Sequence, residues 1–105
     1  MATTIPVFTI RSNFYDIFDS PVLEEDQFYD RLVTFIETNL GSSYKTKVLC
    51  YLEDEEGNLS EATLEEEGYF KSLQKCVKYY AEEEQYETCS RITKLIEKHG
   101  LTESL

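Results

Sequence analysis

Residues 79–100, YYAEEEQYETCSRITKLIEKHG, bring glutamates, a cysteine and the only histidine of the chain close together. Such a grouping would suit a metal site or a reactive thiol, but the same residues also follow helical grammar. Tyr86, Cys89, Ile92, Leu95 and Ile96 recur at helical spacing on one side of a helix predicted over 83–99, with Arg91, Lys94 and Lys98 on the other side. Glu82, Glu83 and Glu84 would stand at its start, where negative charge complements the helix dipole. Glu87 lies four residues before Arg91, in the favourable orientation for a surface ion pair, and His99 before Gly100 puts an imidazole at the negative end. The stretch reads as a helix, and its acids need no chemistry to explain them.

Working toward the N-terminus, Phe70, Leu73, Cys76, Val77 and Tyr80 share one side of a second helix, opposite Lys71, Lys75 and Lys78. Thr63 and Glu66 have the spacing of a capping box, which starts this helix near Leu64 and carries it to about Ala81, while Gly68 weakens its first turns and moves the start toward Tyr69. The link between the two helices is short and acidic, so they form an antiparallel hairpin with facing apolar stripes. Cys76 and Cys89 lie on those stripes as small hydrophobes that could meet.

The earlier part of the chain alternates strand and helix. IPVFTIR (5–11) and TKVLCYLED (46–54) are β-branched, aromatic or apolar runs that read as strands. Between them, Ser20-Pro21 opens a helix over 21–40, with Glu24, Glu25 and Asp26 near its positive end and Phe28, Leu32, Phe35, Ile36 and Leu40 on one face; Gly41 ends it. Residues 12–20 form a connector whose Phe14, Tyr15 and Phe18 should fold onto the core. Residues 55–64, EEGNLSEATL, either turn at Gly57-Asn58 into a short third strand or remain a loop. The fold class is α+β in one domain of 105 residues: a two- or three-stranded sheet covered by a long helix and a C-terminal helical hairpin. Residues 1–67 make the acidic strand–helix–strand part and 68–105 the hairpin.

The formal net charge is −11, and by sequence it is confined to one part of the chain. Residues 1–67 hold fifteen acids against Arg11, Arg31, Lys45 and Lys47, while 68–105 hold six acids and six bases. Such a field repels phosphate, which argues against DNA, RNA or an anionic membrane as direct partners and favours a basic protein surface. The basic stripes of the hairpin would be the only route to nucleic acid, and neighbouring acids blunt them. Three cysteines, Cys50, Cys76 and Cys89, form no C-x-x-C pair and follow no secretory signal, which implies a reduced, cytoplasmic setting. No apolar run approaches membrane-spanning length.

Catalytic and cofactor constellations are absent from the pattern. One histidine allows no Ser-His-Asp arrangement and has no paired Cys/His companions for zinc. Gly41, Gly57, Gly68 and Gly100 are scattered and make no phosphate loop. The acids of EDEEGNLSEATLEEE (53–67) sit in a solvated segment, without the differing environments that acid–base work needs, and Asp54 to Gly57 is too short a piece of a calcium loop. The expectation is therefore no enzyme, no metal and no cofactor.

Residues 68–99 resemble the UVR-type helical hairpin, an interaction segment of bacterial excision-repair subunits and of some kinase-activator proteins. The resemblance is carried by Tyr86-Glu87, the small pair Cys89-Ser90 and Ile96 after an acidic turn, with Thr93-Lys94 where the family has an Arg-Asp pair. It implies a hairpin that makes protein–protein contacts.

Two functional readings follow. In the first, the protein occupies a basic surface of a nucleic-acid-handling protein, as an inhibitor or regulator of the nucleic-acid-mimic type. Its contact residues would be Glu24, Glu25, Asp26 and Asp30 on the long helix, Glu53, Asp54, Glu55 and Glu56 in the following turn, and Glu61, Glu65 and Glu66 beyond it. In the second, it is an adaptor or assembly subunit that docks through the hairpin, with Tyr69, Phe70, Tyr79, Tyr80 and Tyr86 as anchors, since tyrosine is enriched at contact surfaces.

Overall fold

The computed structural model describes residues 5–10, 24–42 and 46–101. The apolar run at the N-terminus forms a short strand, β1 (Val7–Thr9), which pairs in parallel with β2 (Val48–Glu53), Phe8 standing opposite Leu52. A parallel pair needs a crossover, and helix α1 (Glu25–Leu40) supplies it. The expected start at Ser20-Pro21 and the aromatic connector 12–20 lie outside the described residues. A tight turn then returns the chain antiparallel as β3 (Leu59–Thr63), so the third strand forms and the sheet order is β1-β2-β3.

The alternation of the strands sorts the sheet into two faces. Phe8, Cys50, Leu52 and Ala62 are buried on one, while Val7 and Leu59 are 53% and 61% exposed on the other. The helices cover the first face. An irregularity in β2 between Val48 and Cys50 leaves the Leu49 carbonyl to a side chain: Arg31 Nε donates to it at 2.7 Å, with the guanidinium 5.3 Å from the Phe35 ring centroid.

α1 buries more than the single stripe its sequence showed. Phe28, Leu32, Val33, Phe35, Ile36 and Asn39 are all buried, because α1 packs against β2 and also against helix α2 (Tyr69–Glu82). The Asn39 amide is fully used at this junction. Its Nδ2 donates to the Thr46 carbonyl (2.9 Å) and to the Tyr69 hydroxyl (3.1 Å), and its Oδ1 accepts the Thr46 N–H (3.2 Å). Phe35 meets the Tyr69 ring edge-on at 6.5 Å. α2 runs antiparallel to α1, since its other end brings Tyr79 onto Tyr29 (rings stacked at 4.2 Å) and the Tyr79 hydroxyl onto the Asp26 carboxylate. α2 in turn packs on α3 (Tyr86–Lys98), giving the expected hairpin around Leu73, Cys76, Tyr80, Ile92 and Leu95.

Three local expectations are corrected. The Thr63–Glu66 capping box does not form: Thr63 is the last residue of β3, and a 3-10 turn (Glu66–Gly68) precedes α2, which begins at Tyr69. Arg91 pairs not with Glu87 but across to α1, 2.7 Å from Glu37. Glu82, Glu83 and Glu84 do not start α3. Glu82 is the last residue of α2 and Glu83 and Glu84 follow it in the turn, at the helix end whose dipole disfavours them.

The chain leaves α2 through a Schellman turn. The Gln85 N–H donates to the Tyr80 carbonyl (2.8 Å) and the Glu84 N–H to the Ala81 carbonyl (3.0 Å), with Glu84 at φ 59°. α3 ends in the same pattern, Leu101 to Ile96 and Gly100 to Glu97, with Gly100 at φ 60°. One turn uses glycine in the left-handed conformation and the other a glutamate, for which that conformation costs about 1 kcal/mol or more. Glu84→Gly is therefore expected to stabilise the protein by about 1 kcal/mol, raising the thermal unfolding midpoint by roughly 4–8 °C in calorimetry.

Candidate functional site

The acids predicted as contact residues do not form one surface, and they are joined by others from the hairpin. α1 begins beside the end of β1: the Glu24 carboxylate accepts the Thr9 N–H at 2.9 and 3.2 Å through its two oxygens. Thr9 stands opposite Glu53, the last residue of β2, so the β2–β3 turn lies at the same end of the molecule. Because α2 is antiparallel to α1, with Tyr79 on Asp26, the turn from α2 to α3 comes to that end as well. Three segments thus converge, residues 24–30, 53–58 and 79–87. Together they contain twelve acids and no lysine or arginine.

Several of these carboxylates are already committed within the fold. Asp54 closes its own turn: Oδ1 accepts the N–H groups of Glu56 and Asn58, each at 2.9 Å, and Oδ2 accepts from the Asn58 amide at 3.3 Å. The Asn58 N–H, followed by the other donors of the turn, holds the Asp54 carboxyl below its ordinary range. Gly57 has φ 84°, which this turn requires. At Glu24, partial burial raises the carboxyl, but the hydrogen bonds from Thr9 prevail and the net shift is downward. Asp26 holds Tyr79. Glu25, Glu55, Glu56, Glu82, Glu83 and Glu84 are exposed.

Of the other predicted acids, Asp30 stands at the inner margin of this end, and Glu61, Glu65 and Glu66 lie elsewhere. Asp30 is exposed one turn along α1, beside a shallow recess lined by Pro6, Val7, Phe8 and Arg31. Glu61 is exposed in the middle of β3. Glu65 and Glu66 follow β3 at the opposite end of the sheet, where Glu65 meets Lys47 at 3.1 Å. The contribution of Glu82, Glu83 and Glu84 was hidden in the sequence, where 68–105 reads as neutral. Only the antiparallel packing of α2 on α1 reveals it.

The hairpin tyrosines divide sharply. Tyr69 and Tyr80 are 2% and 6% exposed and belong to the core, so they are not surface anchors. Phe70 and Tyr79 are half-buried, and Tyr86 alone among the five stands out, 65% exposed just after the α2–α3 turn. On the opposite side of α3, Arg91, Lys94, Lys98 and His99 line an open cleft with Glu37 of α1 and Gly41 just after it.

Cys76 and Cys89 turn to different partners: Cys76 Sγ lies 3.9 Å from the Tyr29 carbonyl and Cys89 Sγ 3.5 Å from the Val77 carbonyl, and all three cysteines are free. Burial pushes the Cys76 thiol up to about 12 and the Cys50 thiol up to about 11, Arg31 offsetting part of the latter. Among the described residues no group of three His, Cys, Asp or Glu side chains is gathered to hold a metal ion, and no helix is long and apolar enough to cross a membrane. Comparison with protein-family models, with curated proteins and with solved structures finds no match.

Two outcomes follow from this geometry. Iodoacetamide at mildly alkaline pH is expected to alkylate half-buried Cys89 first and to leave Cys50 and Cys76 unmodified until denaturant is added, as read by intact mass and peptide mapping. In an NMR titration Glu24, Asp54 and Glu37, the last held by the Arg91 guanidinium, should each titrate below the ordinary value of its type. Because these folded-state values are depressed, their contribution to stability is present above the unfolded-chain carboxyl range and is lost as pH falls through the folded-state values; Asp54→Asn should flatten that acid limb.

Proposed function

We propose that the protein is a non-enzymatic interaction protein that docks onto a basic surface of another protein through its acidic end, as an inhibitor or regulator of a nucleic-acid-handling partner. The observation that carries this reading is the convergence of residues 24–30, 53–58 and 79–87, which brings twelve acids to one end of the molecule, with Lys75 and Lys78 of α2 beside Glu25, Glu82 and Glu83 at its margin. Anionic groups presented in this way mimic the charge of a phosphate backbone and raise the encounter rate with a basic patch.

The adaptor reading, suggested by the resemblance of the hairpin, keeps one specific support. The apolar stripes of α2 and α3 face inward, but Tyr86 is exposed immediately beside the acidic turn. An aromatic contact there would sit within the charged surface, so the two readings share one place on the molecule.

Surface fields are screened beyond about 8 Å at physiological ionic strength, which separates charge-led docking from apolar docking. Tagged protein is expected to capture basic proteins from native lysate at low salt and to release them at high salt. A variant with Glu55, Glu56, Glu82 and Glu83 changed to lysine should capture none of them, whereas Tyr86→Ala should weaken capture and leave its salt dependence intact. Retention of the same partners by the charge-reversed variant would overturn the proposal.

A further inference from the structure

We infer that the outer edge of β3 is a strand-addition site, which takes an extended basic segment of a partner protein as a fourth strand of the sheet. This rests on the reading that the partner is basic and assigns the main-chain contact that would align it.

The two edges of the sheet are treated differently. At β1 the strand is three residues long and follows Pro6, and the outward N–H of Thr9 is taken by the Glu24 carboxylate. That edge is short and already engaged at Thr9. β3 is five residues long and contains no proline. The Asp54 N–H donates to the Asn58 carbonyl (3.0 Å) and the Leu64 N–H to the Lys47 carbonyl (2.8 Å), and these two bonds fix the alternation between them. Asn58, Ser60, Ala62 and Leu64 turn their main chain toward β2, and Leu59, Glu61 and Thr63 turn theirs outward. Among the described residues no strand, helix or side chain takes those outward groups. The side chains of Leu59, Glu61 and Thr63 are also exposed.

Charge decides which strand such an edge accepts. Residues 53–67, which lead into, form and leave β3, hold eight acids and no base. A second copy pairing antiparallel about the strand centre would set Glu61 against Glu61, which is destabilising, and a shifted register would still bring together two segments of eight acids and no base. The central charge therefore guards the edge against self-pairing. A basic strand meets no such barrier, and its Lys or Arg opposite Glu61 gains a favourable cross-strand pair. Leu59, 61% exposed on the same face, adds an apolar position two residues away. The expected partner segment is thus extended and alternating, with a basic residue two positions from an apolar one.

The probe is a heptapeptide, Lys-Val-Thr-Lys-Thr-Val-Lys, capped at both ends, together with two forms of it N-methylated at alternate residues, one form on each edge, so that the methylated edge cannot donate hydrogen bonds. Titrated into the full chain and followed by amide NMR, the unmodified peptide should shift the Leu59, Glu61 and Thr63 signals and slow their hydrogen exchange. The peptide methylated on the pairing edge should bind about tenfold or more weakly. Glu61→Lys, an exposed change whose folding is checked by circular dichroism, should weaken the unmodified peptide by about tenfold. If both methylated forms bind as well as the parent, or the shifts centre on residues 79–87, the edge is not the site, although charge-led docking stands. If no peptide binds at low salt, both this inference and the reading beneath it fall.

Discussion

The architecture depends on α1 being buried on two sides. Leu32 and Ile36 have no solvent exposure and Val33 and Phe35 almost none, because the helix is held between β2 and α2. As the crossover of a parallel strand pair, it must begin at the end of β1 and finish near the start of β2. Asn39, bonded to Thr46 and Tyr69, ties its far end to the start of β2 and the start of α2 at once. Once those ends are fixed, α2 runs antiparallel to α1, and its last turn arrives where α1 begins. The acidic end is therefore a consequence of topology, assembled from segments that are far apart in the chain.

Concentrating like charge in this way conflicts with local preference at identifiable positions. Glu25 and Asp26 sit in the first turn of α1, where the dipole favours them, but Glu82, Glu83 and Glu84 sit at the end of α2, whose last turn carries no basic residue. Glu84 moreover takes a left-handed conformation that glycine takes at the equivalent point after α3. Compensation comes from hydrogen bonds to neutral groups: Glu24 to Thr9, Asp26 to Tyr79 and Asp54 to its own turn. Each fixes a carboxylate without neutralising it. The local cost with retained charge is the pattern expected where a surface is kept for a purpose other than stability.

The elements themselves were legible in the sequence because each carries its own periodicity. The stripes Phe28-Leu32-Phe35-Ile36 and Ile92-Leu95-Ile96 define helices, and Gly57-Asn58 marks the turn into β3 whichever way the chain packs. What was not legible depends on partners distant in sequence. Thr63 has the spacing of a helix cap, but the pairing of β3 with β2, continued by the Leu64 N–H on the Lys47 carbonyl, holds it in a strand and outweighs a local preference worth about 1 kcal/mol. Arg91 reaches Glu37 rather than its neighbour Glu87 because α2 brings α3 alongside α1, and the pair bridges the open cleft between them. Tyr69 looks like a surface anchor in a hairpin read alone; with α1 beside it, its ring meets Phe35 and its hydroxyl meets Asn39. The acids at 82–84 cancel against lysines in a count along the chain, and only in space do they join those of residues 24–30.

The β2–β3 turn belongs to both surfaces proposed for docking. It carries Glu55 and Glu56 at the acidic end, and it leads directly into the open edge of β3. The two surfaces would act at different ranges. A field acts before contact and draws in any basic patch, with little demand on its shape, whereas main-chain hydrogen bonds along a strand act only at contact and impose direction and register. Acidity without the open edge would bind basic surfaces indiscriminately. An open edge without acidity would pair with its own copies. In the proposed docking, one property limits the failure of the other: Glu61 keeps the edge from self-pairing by the same charge that would attract the partner's strand.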